Sequence, residues 1–159
     1  MIGAFRKVSL RMRTRALEAR NILSLISSRH ELKVYIKASR IQIEYRLSSA
    51  AAPSVVTIDY PVNDAVWHTF EAEFLDRALN IIIDGRSFSQ DTSLSEVPLN
   101  AILLEDNAYV QVGGNFIGCL DDIRLGTHLL PVRSPKYLER TNRKISICGQ
   151  RKIVYLVSQ

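Results

Sequence analysis

Apolar and polar residues alternate along most of this chain, in many short runs. In the first clear run, Val8, Leu10 and Met12 are separated by single polar or basic residues. Strict alternation places the apolar side chains on one face of a β-strand and the polar side chains on the other. The same pattern predicts strands at residues 22–26, 32–36, 41–47, 55–59, 67–74 and 79–83. Strands spaced this closely leave no room for helical crossovers, so we expect antiparallel pairing.

The stretch 109–125 is predicted to form a β-hairpin. Val110 and Val112 lie in an alternating run that ends at Gly113 and Gly114, and an apolar run resumes soon afterwards. Consecutive glycines adopt backbone angles that other residues resist. A tight turn between two paired strands is therefore the natural interpretation.

The second of these two runs contains an interruption of its alternation. The phase slips once, between Leu120 and Ile123, where two aspartates stand side by side. A slip of this kind predicts a β-bulge or the end of a strand. The polar residues of the run, Asp121, Asp122 and Arg124, are expected to face solvent.

Length and composition fit one all-β domain. The chain has 159 residues, of which 47% are hydrophobic. Such a chain can bury about two thirds of its unfolded surface, and many short strands predict an antiparallel β-sandwich of roughly 12 to 14 strands. No apolar run approaches the ~20 residues that cross a bilayer, so direct membrane insertion by this fragment is not expected. Arg and Lys also interrupt every apolar stretch of residues 1–20, which is not typical of a signal peptide.

Several motifs together resemble laminin G-like domains. They are SLRMRTR at residues 9–15, the Trp-His pair at 67–68, VGG at 112–114, FIGC at 116–119 and DIRL at 122–125 with a Leu-Pro close. The resemblance covers about residues 3–149 and implies a concanavalin A-like jelly roll. It gives a laminin G-like domain at residues 1–149, followed by a C-terminal strand or linker at residues 150–159. The run GCLDDIRL is most similar to the membrane-proximal laminin G-like domain of non-chordate cadherins.

The resemblance also assigns structural roles to particular residues. Four of them form its structural motif: Trp67, Gly113, Gly114 and Gly118. One departure is Ala65, where the family commonly has a glycine before the tryptophan region. The turn is then expected to place its left-handed residue at Asn63 or Asp64, because both residue types tolerate that conformation.

The two cysteines, Cys119 and Cys148, allow two interpretations from the residues alone. They are either buried free thiols or the ends of a disulfide. A disulfide closing a loop of about 30 residues contributes roughly 3 to 4 kcal/mol by the loop-entropy estimate. The laminin G resemblance implies the disulfide and an extracellular location.

Positive charge is concentrated at the two ends of the chain. Residues 1–20 contain six basic and one acidic side chain, residues 21–130 contain eight and fourteen, and residues 131–159 contain seven and one. If the two ends lie together, their cations could form one surface for acidic glycans or proteins. The candidate anion-binding residues are Arg11, Arg13, Arg15, Arg140, Arg143, Lys144, Arg151 and Lys152. The alternative is a solvated strand face with a charged tail. Nucleic acid is not a predicted partner, because no aromatic residue interleaves these cations in sequence.

The sequence shows no catalytic constellation. Its three histidines are scattered, and neither a Gly-x-Ser-x-Gly motif nor a phosphate-binding glycine loop is present. His68 is expected to pack beside Trp67. Glu71 and Glu73 alternate as the acidic pair of sandwich-fold glycosidases does, but Leu75 stands where a third carboxylate is needed. The protein is therefore not predicted to be an enzyme.

A calcium site is the family feature that this chain is predicted to lack. The resemblance implies an aspartate just after strand 41–47 and a second oxygen ligand after the Gly-Gly turn. Arg46 stands at the first place, and Asn115 is the one plausible oxygen ligand at the second. Calcium requires several oxygen ligands, so we expect no metal site and no other cofactor.

These patterns favour one function and leave a second open. The resemblance implies a non-catalytic extracellular module of a cadherin-like adhesion receptor at the plasma membrane. Its partners would then be other ectodomain segments or adhesion proteins. The alternative is a lectin-like module that binds heparan sulfate or another acidic glycan through the basic residues.

Overall fold

A computed structural model describes residues 4–47, 52–92, 99–131, 147–149 and 152–156. These residues form two antiparallel β-sheets packed face to face, with one short helix, which confirms the predicted sandwich. The strands in chain order are β1 (Lys7–Thr14), β2 (Ala19–Ile26), β3 (Glu31–Lys37), β4 (Arg40–Arg46), β5 (Ser54–Pro61), β6 (His68–Leu75), β7 (Ala78–Ile83), β8 (Arg86–Ser87), β9 (Gln90–Asp91), β10 (Tyr109–Gly113), β11 (Gly118–Leu125), β12 (His128–Leu129), β13 (Ile147–Gly149) and β14 (Lys152–Leu156). Helix α1 (Asn100–Leu103) lies between β9 and β10.

The two sheets contain different numbers of strands. The eight-stranded sheet has the order β12-β11-β1-β6-β7-β8, with β13 also paired to β11 and β9 to β7. The six-stranded sheet has the order β14-β10-β2-β3-β4-β5. Strands β2 to β5 and β6 to β8 are each paired in chain order, because short turns join them. The long connections bring β11 to β1 and β10 to β2.

The core lies between the sheets and follows the alternation in the sequence. Strands β1, β3 and β4 alternate between buried and more exposed side chains along almost their whole length. Phe70, Phe74 and Met12 are the largest fully buried side chains. Tyr45 meets Phe74 edge to face with ring centroids 5.2 Å apart, so this pair joins the two sheets.

The predicted hairpin at residues 109–125 is wrong. Strand β10 pairs with β2 and β14 in the six-stranded sheet, whereas β11 pairs with β1, β12 and β13 in the other sheet. Gly113 and Gly114, with φ of 70° and 130°, therefore carry the chain across the sandwich. A glycine pair marks a sharp change of direction, but it does not specify which sheet the next strand joins.

The predicted interruption in β11 is confirmed as a β-bulge. The β1–β11 register shifts between Ser9 and Arg11, and Asp122 has a φ of 49°. The expectation that Asp121 faces solvent is wrong, because Asp121 is buried at 6% exposure. The bulge turns this carboxylate towards Arg11 instead of towards water.

Residues 152–156 form an edge strand, which is one of the two predicted possibilities. Strand β14 pairs with β10 from Tyr109 opposite Leu156 to Gly113 opposite Lys152. Its inward residues Ile153 and Tyr155 pack against the core. This segment therefore contributes to the sandwich, although the domain boundary predicted at residue 149 stays a prediction.

Candidate functional site

The outer surface of the eight-stranded sheet carries two of the predicted anion-binding residues. The guanidinium of Arg11 lies 5.0 Å from the ring centroid of Trp67, and that of Arg13 lies 5.3 Å from it. Both distances fall within the ~6 Å over which a cation and an aromatic ring attract each other. We call Arg11, Arg13 and Trp67 the arginine–tryptophan surface. No aromatic residue interleaves these cations in sequence, but Trp67, which directly precedes β6, brings its ring beside two of them in the structure.

Each arginine of this surface also has a second partner. Arg11 Nη1 donates a hydrogen bond to Asp121 Oδ2 at 3.4 Å, and the Asp121 side chain is only 8% exposed. Arg13 Nη2 donates to Cys119 Sγ at 3.6 Å. A buried carboxylate is costly without a positive partner, so Arg11 compensates for Asp121. The charges on this surface are therefore partly neutralised within the protein.

The disulfide between Cys119 and Cys148 is present, as the family resemblance implies. The two cysteines are directly opposite each other in the β11–β13 pair. Strand β1 pairs with the other edge of β11, so residues 147–149 lie one strand away from β1. Close approach at Gly118 helps to make this arrangement possible, because a Cβ there would lie 2.9 Å from Thr14 Cβ.

The remaining predicted anion-binding residues do not all join this surface. Arg15 is exposed just after β1. Lys152 begins β14 in the six-stranded sheet, where it pairs opposite Gly113. Four others lie outside the described residues: Arg140, Arg143, Lys144 and Arg151. The described cations of the set are thus divided between the two sheets, and the binding role of the set stays a prediction.

His68 lies inside the sandwich between two carboxylates. Its Nδ1 is 2.6 Å from Asp84 Oδ2 and its Nε2 is 2.7 Å from Asp64 Oδ1. The prediction that it packs beside Trp67 missed these partners and the ring of Tyr60, whose centroid is 6.0 Å from that of His68. We call His68, Asp64, Asp84 and Tyr60 the His68 cluster.

The two carboxylates of the cluster are held differently. Asp84 accepts hydrogen bonds from the Thr69 amide at 2.8 Å and from the Tyr60 hydroxyl at 2.9 Å. Asp64 accepts one from the Val66 amide at 3.2 Å. The Asp64 side chain is 54% exposed, whereas that of Asp84 is 28% exposed. Asp84 is therefore the more firmly fixed partner of His68.

The cluster shifts the pKa values of its members. Burial opposes a charge on His68, but the hydrogen bonds and negative charges of Asp84 and Asp64 outweigh it and raise the His68 pKa above 6.5. Hydrogen bonding to His68 lowers the pKa of Asp64 below 3.8. Burial acts to raise the pKa of Asp84, but hydrogen bonds from His68, Thr69 and Tyr60 outweigh it and leave this pKa lowered. The cluster thus favours an imidazolium between two carboxylates.

The turn before Trp67 has an unexpected backbone conformation. Ala65 itself has a φ of 61°, so the expectation that Asn63 or Asp64 takes the left-handed conformation is wrong. The Asp64 carboxylate is held by His68, and the Ala65 amide donates to Thr14 O at 2.9 Å. These contacts fix the turn so that the left-handed residue is alanine, at a cost of about 1 kcal/mol.

Three exposed apolar residues lie at or next to residues that are hydrogen-bonded to Thr14, the last residue of β1. Thr14 Oγ1 donates to Ile117 O at 2.6 Å and accepts from the Ala16 amide at 2.9 Å. Thr14 O accepts from the Ala65 amide. Ile117 and the residues following Ala16 and Ala65 expose large apolar side chains: Leu17 at 60%, Val66 at 56% and Ile117 at 60%. We call Leu17, Val66 and Ile117 the Thr14 rim.

A groove of about 520 Å³ lies on the outer face of the six-stranded sheet. It forms where the β2–β3 register shifts between Ala19 and Leu23. Its lining residues are Glu18, Ala19, Arg20, Lys33, Tyr35, Ile36, Lys37 and Glu44. Lys33 pairs with Glu44 at 3.9 Å. Arg20 and Lys37 are exposed and make no ion pair with another described residue.

The described residues contain no group of three or more His, Cys, Asp and Glu side chains arranged to hold a metal ion. Arg46 pairs opposite Glu31 at the end of β4. Glu71 lies 3.9 Å from Lys7, and its side chain is 42% exposed. The absence of a calcium site stays a prediction. In the same part of the chain, no helix is long and apolar enough to cross a membrane.

Taken together, the fold and the disulfide define a β-sandwich binding module of an extracellular type. The profile of the laminin G domain family matches residues 12–128. The chain belongs to this family. Laminin G domains are extracellular modules of adhesion and binding and are generally non-enzymatic.

Solved structures with the same fold include two from laminins. The LG1-3 region of the laminin α2 chain is 18% identical with a TM-score of 0.67, covering 82% of this chain and 28% of that one. Domains LG4-5 of the mouse laminin α1 chain are 18% identical with a TM-score of 0.57, covering 72% and 30%. This chain thus spans less than a third of those laminin fragments. No match is found among curated proteins.

A third neighbour extends the fold beyond laminins. A SAP-like pentraxin from Limulus polyphemus is 11% identical with a TM-score of 0.52, covering 98% of this chain and 86% of the pentraxin. At such low identities these likenesses support the sandwich fold alone.

Proposed function

We propose that this domain is a non-catalytic interaction module in the ectodomain of a cadherin-like adhesion receptor at the plasma membrane, and that it contacts protein partners through the Thr14 rim. The observation that carries the proposal is that Leu17, Val66 and Ile117 are each at least 56% exposed and each lie at or next to a residue bonded to Thr14. Exposed apolar side chains that adjoin one another are typical of protein interaction surfaces.

Two further features support this proposal. The disulfide suits an oxidising extracellular environment. Glu71 and Glu73 lie on β6 without the third carboxylate that sandwich-fold glycosidases use, and Glu71 pairs with Lys7. These carboxylates therefore act as part of a solvated sheet face.

Adhesion of coated beads tests the proposal. Beads carrying the wild-type domain are expected to aggregate with each other or to attach to cells that display ectodomains. The variant Leu17→Ser, Val66→Ser, Ile117→Ser should lose about a hundredfold or more in affinity, because each buried apolar side chain contributes on the order of 1 kcal/mol or more to an interface.

A matched control replaces three exposed apolar residues elsewhere: Leu75, Leu104 and Leu129, each to Ser. This control should adhere as the wild type does. Equal adhesion by the rim variant, at an unchanged melting temperature, would contradict the proposal.

A second candidate function is binding of acidic glycans. The observation that favours it is the pair of exposed cations in the sheet groove, Arg20 and Lys37, which lack the partners that Arg11 and Arg13 have. Heparin retention is expected to be weak and to end near physiological salt, where charges are screened beyond about 8 Å. The variant Arg20→Gln, Lys37→Gln should elute earlier than Arg11→Gln. Retention well above physiological salt would favour the glycan function over the adhesion function.

A further inference from the structure

Both ring nitrogens of His68 face a carboxylate oxygen, at 2.6 Å for Asp84 and 2.7 Å for Asp64. A carboxylate can only accept a hydrogen bond at these positions, so both nitrogens must carry a proton to donate. The neutral imidazole has one N–H, and it can therefore hold one of the two aspartates but not both. Proton loss from His68 must release one partner.

The structure indicates which partner is released. When His68 withdraws its proton, Asp84 keeps the Thr69 amide and the Tyr60 hydroxyl as donors, whereas Asp64 keeps the backbone amides of Val66 and of Asp64 itself. Asp64 also has the more exposed side chain, so water can replace His68 there at a small cost. The remaining N–H of His68 should therefore stay with Asp84.

Release of Asp64 affects the Thr14 rim directly. The same oxygen, Oδ1, binds His68 Nε2 and accepts from the amide of Val66, a member of that rim. Ala65 lies between Asp64 and Val66 in sequence, and its φ of 61° depends on the contacts that hold the turn. When His68 releases Asp64, the turn loses one of the contacts that hold it and keeps the Ala65–Thr14 and Val66–Asp64 bonds, so the left-handed alanine can relax more readily.

We infer that His68 is a proton-operated latch for the Thr14 rim: the protonated ring holds Asp64 and Asp84 together and keeps Val66 in place, and loss of one proton frees Asp64 and loosens Val66. The latch itself rests on the geometry of the cluster. Its effect on binding rests on the proposed function of the rim.

Within the part of the chain that the structure describes, few charged groups lie around His68. Asp64 lies in the turn before β6, Asp84 lies at the end of β7, and Tyr60 lies on β5. The guanidinium of Arg86, at the start of β8, is 5.7 Å from the Tyr60 ring centroid and stands behind it. Because two carboxylates lie closest and raise the His68 pKa, the proton is held below pH 6.5 and is lost as the pH rises through the raised pKa.

The test follows two amide protons by NMR from pH 5.5 to pH 9. Thr69 reports on Asp84 and Val66 reports on Asp64, while the ring resonances of His68 report on its own titration. The Val66 amide is expected to shift with the same midpoint as His68, and its exchange protection factor to fall by about tenfold, as expected for local opening. Thr69 should keep its protection.

Two variants complete the test. In His68→Gln the Val66 amide should lose its pH dependence between pH 5.5 and pH 9. In Asp64→Asn, where an acceptor remains but the charge is gone, His68 should titrate at lower pH. Equal changes at Val66 and Thr69, a change at Thr69 alone, or no change at either would overturn the latch.

Bead adhesion at pH 6 and pH 8.5 then separates the two proposals. If the rim binds, wild-type adhesion should fall at the higher pH and that of His68→Gln should not change with pH. Adhesion that changes neither with pH nor with the rim substitutions would count against the rim as a binding surface. The NMR result on the latch would still stand by itself.

Discussion

Trp67 and His68 are neighbours in sequence at the start of β6, yet they organise two different electrostatic arrangements, one outside and one inside the eight-stranded sheet. Trp67 lies outside, against the guanidinium groups of Arg11 and Arg13. His68 lies inside, between Asp64 and Asp84. Both arrangements keep a cation in contact with a group that attracts it, and both connect β6 to other parts of the sandwich.

The difference between them is the acidity of the cation. Arginine keeps its charge at every pH that a protein meets, because its pKa lies above 12. Histidine changes its charge near neutral pH. The outer arrangement therefore contributes constantly to stability, and the inner one contributes only while His68 is protonated. Two adjacent residues thus take part in one contact whose charge does not change with pH and one contact whose charge does.

The largest expected effect comes from the disulfide beside the outer arrangement. The variant Cys119→Ala, Cys148→Ala should lose about 3 to 4 kcal/mol of unfolding free energy, since the open loop regains entropy in the unfolded chain. Urea unfolding at fixed pH measures this loss. Intact mass after alkylation without reductant should show no label on the wild type. If the variant also lost its pH-dependent stability, the two arrangements would not be independent.

Next in size is the substitution His68→Gln, which breaks the inner arrangement. At pH 5.5 it should lose about 2 to 3 kcal/mol, because two carboxylates are left without their common donor. Urea unfolding at several pH values measures the loss.

The sign of that pH profile follows from the pKa directions. The raised His68 pKa stabilises the fold fully below pH 6.5, and this contribution is lost as pH rises through the folded-state value. The lowered pKa values of Asp64 and Asp84 stabilise it above pH 3.8, and this contribution is lost as pH falls through theirs. Wild-type stability from the cluster should peak between these limits, and a profile rising from pH 6.5 to pH 9 would contradict the cluster.

A smaller effect is expected from Trp67→Ala, which breaks the outer arrangement. Loss of two cation–π contacts and of part of the ring's packing should cost about 1 to 2 kcal/mol. The cost should be the same at pH 5.5 and pH 8.5, because both arginines stay charged. Trp67→Phe should restore part of it. A cost that varied with pH would remove the distinction drawn between the two arrangements.

A substitution in the turn before Trp67 is expected to increase the stability of the fold. Ala65→Gly should raise stability by about 0.5 to 1 kcal/mol, because glycine adopts a φ of 61° without strain. Ala101→Gly, in helix α1, should lower it by a similar amount. Thermal unfolding of both variants measures the two signs. A loss on Ala65→Gly would show that the left-handed alanine is not strained.

The smallest expected effect is that of calcium, which should be none. The melting temperature should be equal in excess chelator and in millimolar Ca²⁺, since a ligand that binds only the native state must raise stability. A clear rise in melting temperature would reveal oxygen ligands that the sequence argument missed.

The alternation of residues predicted the strands and the inner face of each sheet well, because burial of one face follows directly from the period of two. It failed between Val112 and Leu120, where the chain changes sheets. A Gly-Gly pair marks such a turn, but the choice of sheet depends on strands β1 and β2 about 100 positions earlier. Local pattern carries no information of that kind.

The site was predictable only in part, for a related reason. The disulfide came from the family resemblance, and the basic residues came from composition. The partners of His68 lie 4 positions earlier and 16 positions later, in two separate turns, and Trp67, just before β6, meets Arg11 of β1. The one available clue was the position of the two aspartates in sequence. Asp64 lies shortly before predicted strand 67–74, and Asp84 lies directly after predicted strand 79–83. Turns of adjacent strands can meet at one rim, and the sequence argument did not use this.

The long connection between β1 and β11 also has a kinetic consequence. Arg11 and Asp121 are 110 positions apart, and they are neighbours in the finished sheet. At about 5 to 20 residues per second, a ribosome needs roughly 5 to 20 s to make the chain between them. During this interval one edge of β1 has no partner, and an unpaired strand edge is prone to bind other chains. The alternating arginines of β1 place positive charge along that edge, so the residues that hold Trp67 in the folded domain also discourage aggregation while the chain is still being synthesised.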